Sequence, residues 1–123
     1  MILLLALLFV CHFLADFSPL STSWMLHAKS KGSPFFPIFV HAGIHALLML
    51  SVLFFFSPLI LALKLAAFQC VTHFIIDVCK GKMNVLFPVV SNPEDKRHWL
   101  LFGFDQLMHQ TVILLMVWAN YNL

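Results

Sequence analysis

The sequence predicts an all-α fold: an integral membrane four-helix bundle with a short interfacial helix between helices 1 and 2. Three observations predict it. Apolar residues make up 62% of the chain and charged residues only 10%, outside the range of soluble domains. The apolar residues arrive in long blocks instead of alternating with polar ones, as in membrane-spanning helices. Each of four blocks also carries one pair of ionisable residues spaced i,i+4: His12/Asp16, His41/His45, His73/Asp77 and Asp105/His109.

Helix 1 is expected over about 2–17, ending before Ser18-Pro19. Its apolar start lacks a basic leader and a small-x-small cleavage site, so it is read as an uncleaved span. Ser21 or Thr22 can cap a short helix that runs through Lys29 and ends at Gly32. Trp24 and Met25 place that piece in the membrane interface. Helix 2 is expected over 34–56, since Pro34 suits a first helical position. Ser57-Pro58 turns the chain into helix 3, over 59–80, and Gly81 opens a second polar connection. Asn92 as cap, Pro93 at the first position and the acids Glu94 and Asp95 then start helix 4, over 93–120. Trp99 and Trp118 lie about 28 Å apart along it, close to the hydrocarbon thickness.

At 123 residues this is a single transmembrane domain, 1–123. A net charge of +2, with scattered basic residues, gives no reason to expect nucleic acid as a partner. Cys11, Cys70 and Cys79 sit in apolar helices and read as packed thiols, not a disulfide framework. Six of the seven basic residues (Lys29, Lys31, Lys80, Lys82, Lys96 and Arg97) fall in or beside connections 1–2 and 3–4. The positive-inside rule places those connections in the cytoplasm and both termini outside. Lys64 is the exception and can snorkel toward the opposite face.

Spacing of i,i+4 puts both members of a pair on one helix face. Counted from the interface anchors, all four pairs fall roughly 5–15 Å deep in the cytoplasmic half. Turned inward, they gather five imidazoles (His12, His41, His45, His73, His109) and three carboxylates (Asp16, Asp77, Asp105). One account is structural, with interhelical hydrogen bonds holding the helices together. Magnitudes oppose it: an Asp at mid-membrane costs about 2.5–3.5 kcal/mol, whereas such hydrogen bonds average about 0.6 kcal/mol. A bound metal supplies on the order of 10 kcal/mol. The layer is therefore expected to bind a divalent metal, with zinc, iron or manganese suited to imidazole and carboxylate. Eight candidate groups exceed the needs of one four-coordinate ion, so either some carboxylates orient ligating histidines or two ions bind.

Lys80 extends the helix 3 stripe of Gln69, His73 and Asp77. It can hold an anionic group beside the metal, or simply snorkel at a helix end. His27 and His98 are assigned to the interface and left out of the site.

The segments HFLADF (12–17), Trp24 with Lys29, HAGIH (41–45), HFIIDVCKG (73–81) and HWLLFGFDQLMH (98–109) resemble an uncharacterised family of small bacterial and phage inner-membrane proteins. The HxxxDxxK and DQxxH pieces carry the likeness best, beside HxxxD and HxxxH. That family is more distantly similar to membrane-bound metal-dependent hydrolases. The resemblance implies a multi-pass protein of the bacterial inner membrane and, at one remove, hydrolase activity. The expected function is thus a metal-dependent hydrolase acting on a phosphate- or acyl-containing, lipid-like substrate at the cytoplasmic leaflet. His12, His41, His45, His73 and His109 are the expected ligands. Asp16, Asp77 and Asp105 are expected to be ligands, orienting groups or general base, and Lys80 the anion-holding residue. The alternative is proton or divalent-metal transport through the same cluster, although the outer helix halves are almost wholly apolar. Haem held by paired histidines is a third option that the carboxylates fit poorly. The lipid bilayer is the expected partner, and the sequence sets no oligomeric state.

Overall fold

The computed structural model describes residues 1–123 and is all-helical, without strands. It contains five α-helices: α1 (Ile2–Phe17), α2 (Ser23–Lys31), α3 (Phe35–Leu53), α4 (Leu59–Leu86) and α5 (Lys96–Asn122). A 3-10 turn, Pro88–Ser91, links α4 to α5.

Local chemistry explains the boundaries and where they depart from expectation. Thr22 caps α2, its hydroxyl accepting from Met25 N–H at 3.4 Å. Gly32 ends α2 at a φ of 71°, a conformation that favours glycine. α3 stops at Leu53 and not at 56. Phe55 and Phe56 close i,i+3 bonds to Val52 and Leu53, and Pro58 follows. α4 runs on to Leu86, through the Gly81 that was expected to end it. A Cβ on Gly81 would overlap the Gly32 backbone, so this glycine serves a helix contact instead of a helix stop. α5 begins at Lys96 because Asp95, not Asn92, is its cap, accepting from Arg97 N–H at 2.9 Å. The Arg97 guanidinium also donates to Asp95 and holds that partly exposed carboxyl down at about 2. Asn92 accepts from Glu94 N–H, which winds a turn ahead of the helix.

α3 packs against α1, α2 and α4, while α5 packs against α1 and α4. One apolar core draws Leu4 and Leu8 from α1, Met49 and Leu53 from α3, Leu65 from α4 and Ile113 and Met116 from α5. It fills the end of the molecule away from α2. α2 lies across the other end, against α3 and α4.

The outer surface is apolar too, with Phe13, Phe39, Leu47, Ile60 and Leu114 all exposed. A surface of that kind fits contact with lipid. Three helices, α3, α4 and α5, are long and apolar enough to cross a membrane. The 16 residues of α1 fall below that length; they measure about 24 Å against a hydrocarbon core of about 30 Å.

Candidate metal centre

All eight residues of the four pairs are buried or nearly so, and they meet in one layer between the apolar core and α2. The i,i+4 spacing works as physics requires: each helix delivers two side chains from adjacent turns of one face. The five imidazoles form one connected cluster. Ring centroids lie 3.7 Å apart for His45–His73, 4.1 Å for His73–His109, 4.8 Å for His41–His45 and 5.0 Å for His12–His45.

Asp16 is the first focus. Its Oδ1 lies 3.0 Å from both His41 Nε2 and His45 Nε2, and its Oδ2 lies 3.3 Å from His12 Nε2. The His41 and His45 Nε2 atoms stand only 3.2 Å apart. Asp77 is the second focus, with Oδ2 at 3.2 Å from His73 Nε2 and Oδ1 at 3.3 Å from His109 Nε2. Those approaches lack hydrogen-bond geometry, so both oxygens of a carboxylate only 1% exposed have no hydrogen-bond partner. His73 Nε2 is equally unpartnered. Buried polar atoms left this way cost roughly 1–3 kcal/mol each, and more when charged.

Two groups have ligand atoms within 4.8 Å of one another: Asp16, His41, His45 and His73, and then His73, Asp77 and His109. These His/Asp groups can hold a metal ion. In tetrahedral zinc with bonds near 2.1 Å the ligand atoms sit about 3.4 Å apart, so a modest contraction completes either set. The donors are imidazole and carboxylate throughout; the three cysteines are free and stand outside both groups. Outer support for the imidazoles is uneven. Gln69 approaches His73 Nδ1 at 3.4 Å, while Nδ1 of His12, His41 and His45 has no partner. His12 and Asp105 lie at the edge, each touching a member of a group. Asp105 Oδ1 is 3.4 Å from His109 Nε2.

Lys80 donates from Nζ to Asp105 Oδ2 at 3.2 Å and is drawn into the site, not left at an interface. Asp105 Oδ2 also accepts from Gln106 Nε2 at 3.2 Å. Three further residues belong to the site. Lys29 of α2 reaches inward, its Nζ 3.1 Å from His41 Nε2, 3.5 Å from Asp16 Oδ1 and 3.7 Å from Asp77 Oδ2. Burial opposes its charge, and the carboxylates of Asp77, Asp16 and Asp105 outweigh that, raising its pKa above the usual lysine value. Gln106 Oε1 lies 3.3 Å from His12 Nε2. His98, assigned to the interface by sequence, donates from Nδ1 to Val90 O at 2.8 Å and lines the site's cavity. The sequence signal for these three was their place in the segments that carry the family resemblance, Lys29 beside Trp24 and His98 and Gln106 within HWLLFGFDQLMH, and not the i,i+4 spacing.

The cavity measures about 340 Å³ and lies on the α2 side of the cluster. Asp16, Lys29, Asp77, Lys80, Asp105 and Gln106 form its polar wall, toward Asn84, Ser91 and His98. The arrangement can therefore seat a cation deep in the layer and an anionic group in front of it.

A family model described as a protein of unknown function (DUF3307) matches residues 4–123, and the chain belongs to that family. No curated protein and no solved structure matches the chain.

Proposed function

Since membership in this family brings no activity with it, we propose a function from the site: the chain is a single-domain, four-helix membrane protein whose His/Asp cluster binds a divalent metal and hydrolyses a phosphoryl or acyl bond at the cytoplasmic leaflet. The observation that carries this reading is Asp77, a fully buried carboxylate whose two oxygens make no hydrogen bond, with imidazole nitrogens at 3.2 and 3.3 Å. A cation satisfies all of these groups at once. Structural hydrogen bonding does not, because the bonds that would hold the helices are unmade at the very residue most costly to bury.

Asp16, His41, His45 and His73 would hold one ion, with Asp77 and His109 completing a second position or orienting the first through His73. Zinc, iron and manganese all accept this donor set. A bound metal supplies a water of lowered pKa and polarises the oxygen of the scissile group. The protein's own groups do the rest. Asp105, at the cavity wall between Lys80 and Gln106, is placed to accept a proton from an attacking water. Lys80 and Lys29 face the cavity and bind the anionic part of the substrate. The apolar core beneath the layer keeps solvent from reaching the outer face.

That core also weighs against transport. Leu4, Leu8, Met49, Leu53, Ile113 and Met116 are all 0% exposed and leave no polar route past the cluster.

Detergent-purified protein prepared without chelator is expected to contain stoichiometric metal by elemental analysis, and Asp77→Ala to lose most of it. Chromogenic aryl phosphate and aryl acyl esters should report hydrolysis that a chelator abolishes and added metal restores. Stoichiometric metal without turnover of either ester class would leave a binding protein and remove the hydrolase. Metal-free wild-type protein that takes up none on addition would remove both.

A further inference from the structure

A second cavity lies on the lipid-facing side of the molecule, between α4 and α5. It measures about 190 Å³ and presents no polar surface. Ile75, Cys79 and Met83 line it from α4, Phe104 and Met108 from α5. From Ile75 to Met83 it follows α4 for about 12 Å. At its inner end stand Lys80, Leu101 and Asp105, and the same three residues line the polar cavity before the His/Asp cluster. An apolar groove and a charged chamber thus share one wall, and a ligand bridging them must itself be apolar at one end and anionic at the other.

Charge sets the order of events. In the metal-free layer both ammonium groups are held in ion pairs, Lys29 with Asp16 and Asp77 and Lys80 with Asp105. Neither is then free to take an anion. One divalent ion adds two positive charges and frees the two ammonium groups from their carboxylates.

Resting on the metal reading above, we propose that the substrate is a lipid phosphate that enters sideways from the bilayer, its acyl chain in the α4/α5 groove and its phosphate at Lys80, and that it binds only after the metal. In a bilayer the chain gains little by leaving lipid for the groove, both being apolar. The groove therefore admits and aims the molecule, and the affinity resides in the phosphate, the lysines and the metal.

The test uses full-length protein in detergent, loaded with Zn²⁺ and checked by elemental analysis. The probe is a short-chain phosphonate analogue of phosphatidic acid, whose C–P bond resists hydrolysis. The matching diacylglycerol and inorganic phosphate serve as single-end controls. Loaded protein should bind the phosphonate lipid, and chelated protein should bind it at least about tenfold more weakly. Lys80→Gln should weaken the phosphonate lipid and inorganic phosphate alike, by about tenfold, the usual worth of a charge-assisted hydrogen bond. Met108→Trp, which fills the groove, should weaken the lipid by a similar factor while leaving metal content and inorganic phosphate binding as in wild type. Cys79→Trp blocks the same groove from α4 and guards against a folding defect in the first variant.

Zn²⁺-loaded protein that binds the diacylglycerol as well as the phosphonate lipid would overturn the lipid phosphate. Groove-filling variants that bind the lipid normally would overturn lateral entry. Both results leave the metal centre standing. Protein that takes up no Zn²⁺, Mn²⁺ or Fe²⁺ removes the centre and this inference with it.

Discussion

Lys29 places an ammonium 3.1 Å from His41 Nε2 and within 3.7 Å of two carboxylates, in the neighbourhood that a metal ion would fill. Two like charges about 4 Å apart repel by roughly 4 kcal/mol at an effective dielectric of 20 per unit of charge. The side chain can relieve much of that by swinging into the cavity. Lys29→Met is accordingly expected to tighten metal binding by about tenfold in a competitive chelator titration, while weakening binding of inorganic phosphate; looser metal binding would show that Lys29 supports the ligands instead of competing with the ion. His73 belongs to both ligand groups. Its replacement by Ala should therefore cost more metal affinity than His12→Ala, about tenfold or more in the same titration, because His12 belongs to neither group and its polar contacts go to Asp16 and Gln106. These residues were unequally legible in the sequence. The eight paired residues announced themselves because i,i+4 fixes a shared face whatever the neighbouring helices do. Lys29 looked like one more interfacial charge, since nothing local reports that α2 folds back over the layer. Gln106 breaks the spacing rule altogether and reaches His12 only because α5 lies beside α1.

At the scale of elements, the contact between Gly32 and Gly81 seats α2 and thereby delivers Lys29 to the site. A Cβ on Gly32 would come within 2.8 Å of Val78 O and Lys82 N, and its φ of 71° is strained for any other residue. Gly32→Ala and Gly81→Ala should each lower stability by about 1–3 kcal/mol, as overpacking does, read as a fall in the thermal midpoint of the detergent-solubilised protein. They should also expose the α2 segment to proteolysis. Gly43→Ala and Gly103→Ala meet nothing within 4 Å and should be neutral or stabilising by up to about 1 kcal/mol, helix glycines being costly on their own. An unchanged midpoint for Gly81→Ala would mean that α2 is held elsewhere, for instance through Asn84, whose Nδ2 donates to Ser30 O. The sequence read Gly81 as a stop because glycine punctuates chains when seen alone; its role here depends on Gly32, a partner far away in the chain. Hydropathy located the four apolar blocks well, since each needs only its own composition. The ends were less legible because caps compete: Asn92 and Asp95 both qualify by type, and only Asp95 is positioned to reach a free N–H of α5.

Across the whole molecule the two ends are chemically unlike. One is a sealed apolar core finished by the contact of Ser57 with Asn120; the other carries α2, the cavity and six of the seven basic residues. α4 has 28 residues, about 42 Å, which exceeds a hydrocarbon core of about 30 Å. Its surplus falls at the basic end, where residues 81–86 reach past the layer to meet α2. Trp99 and Trp118, both exposed, mark two levels about 28 Å apart on α5. A chain so polarised should insert one way, with α2 and the 3-10 turn in the cytoplasm and both termini outside. Membrane-impermeant thiol labelling checks this in intact spheroplasts, with cysteines introduced one at a time at Met1, Leu123 and Lys31 of a chain whose three native cysteines are replaced by alanine. Cysteines at Met1 and Leu123 should label directly, and the one at Lys31 only after permeabilisation. The reverse pattern would turn the cavity to the outer leaflet and place its lipid phosphate there, while leaving the ligand geometry untouched. Labelling of Met1 and Leu123 from opposite sides would be more damaging, because it requires an odd number of crossings. The 16-residue α1 would then stop short of spanning, and His12 and Asp16 would have to reach the layer from a helix that does not cross.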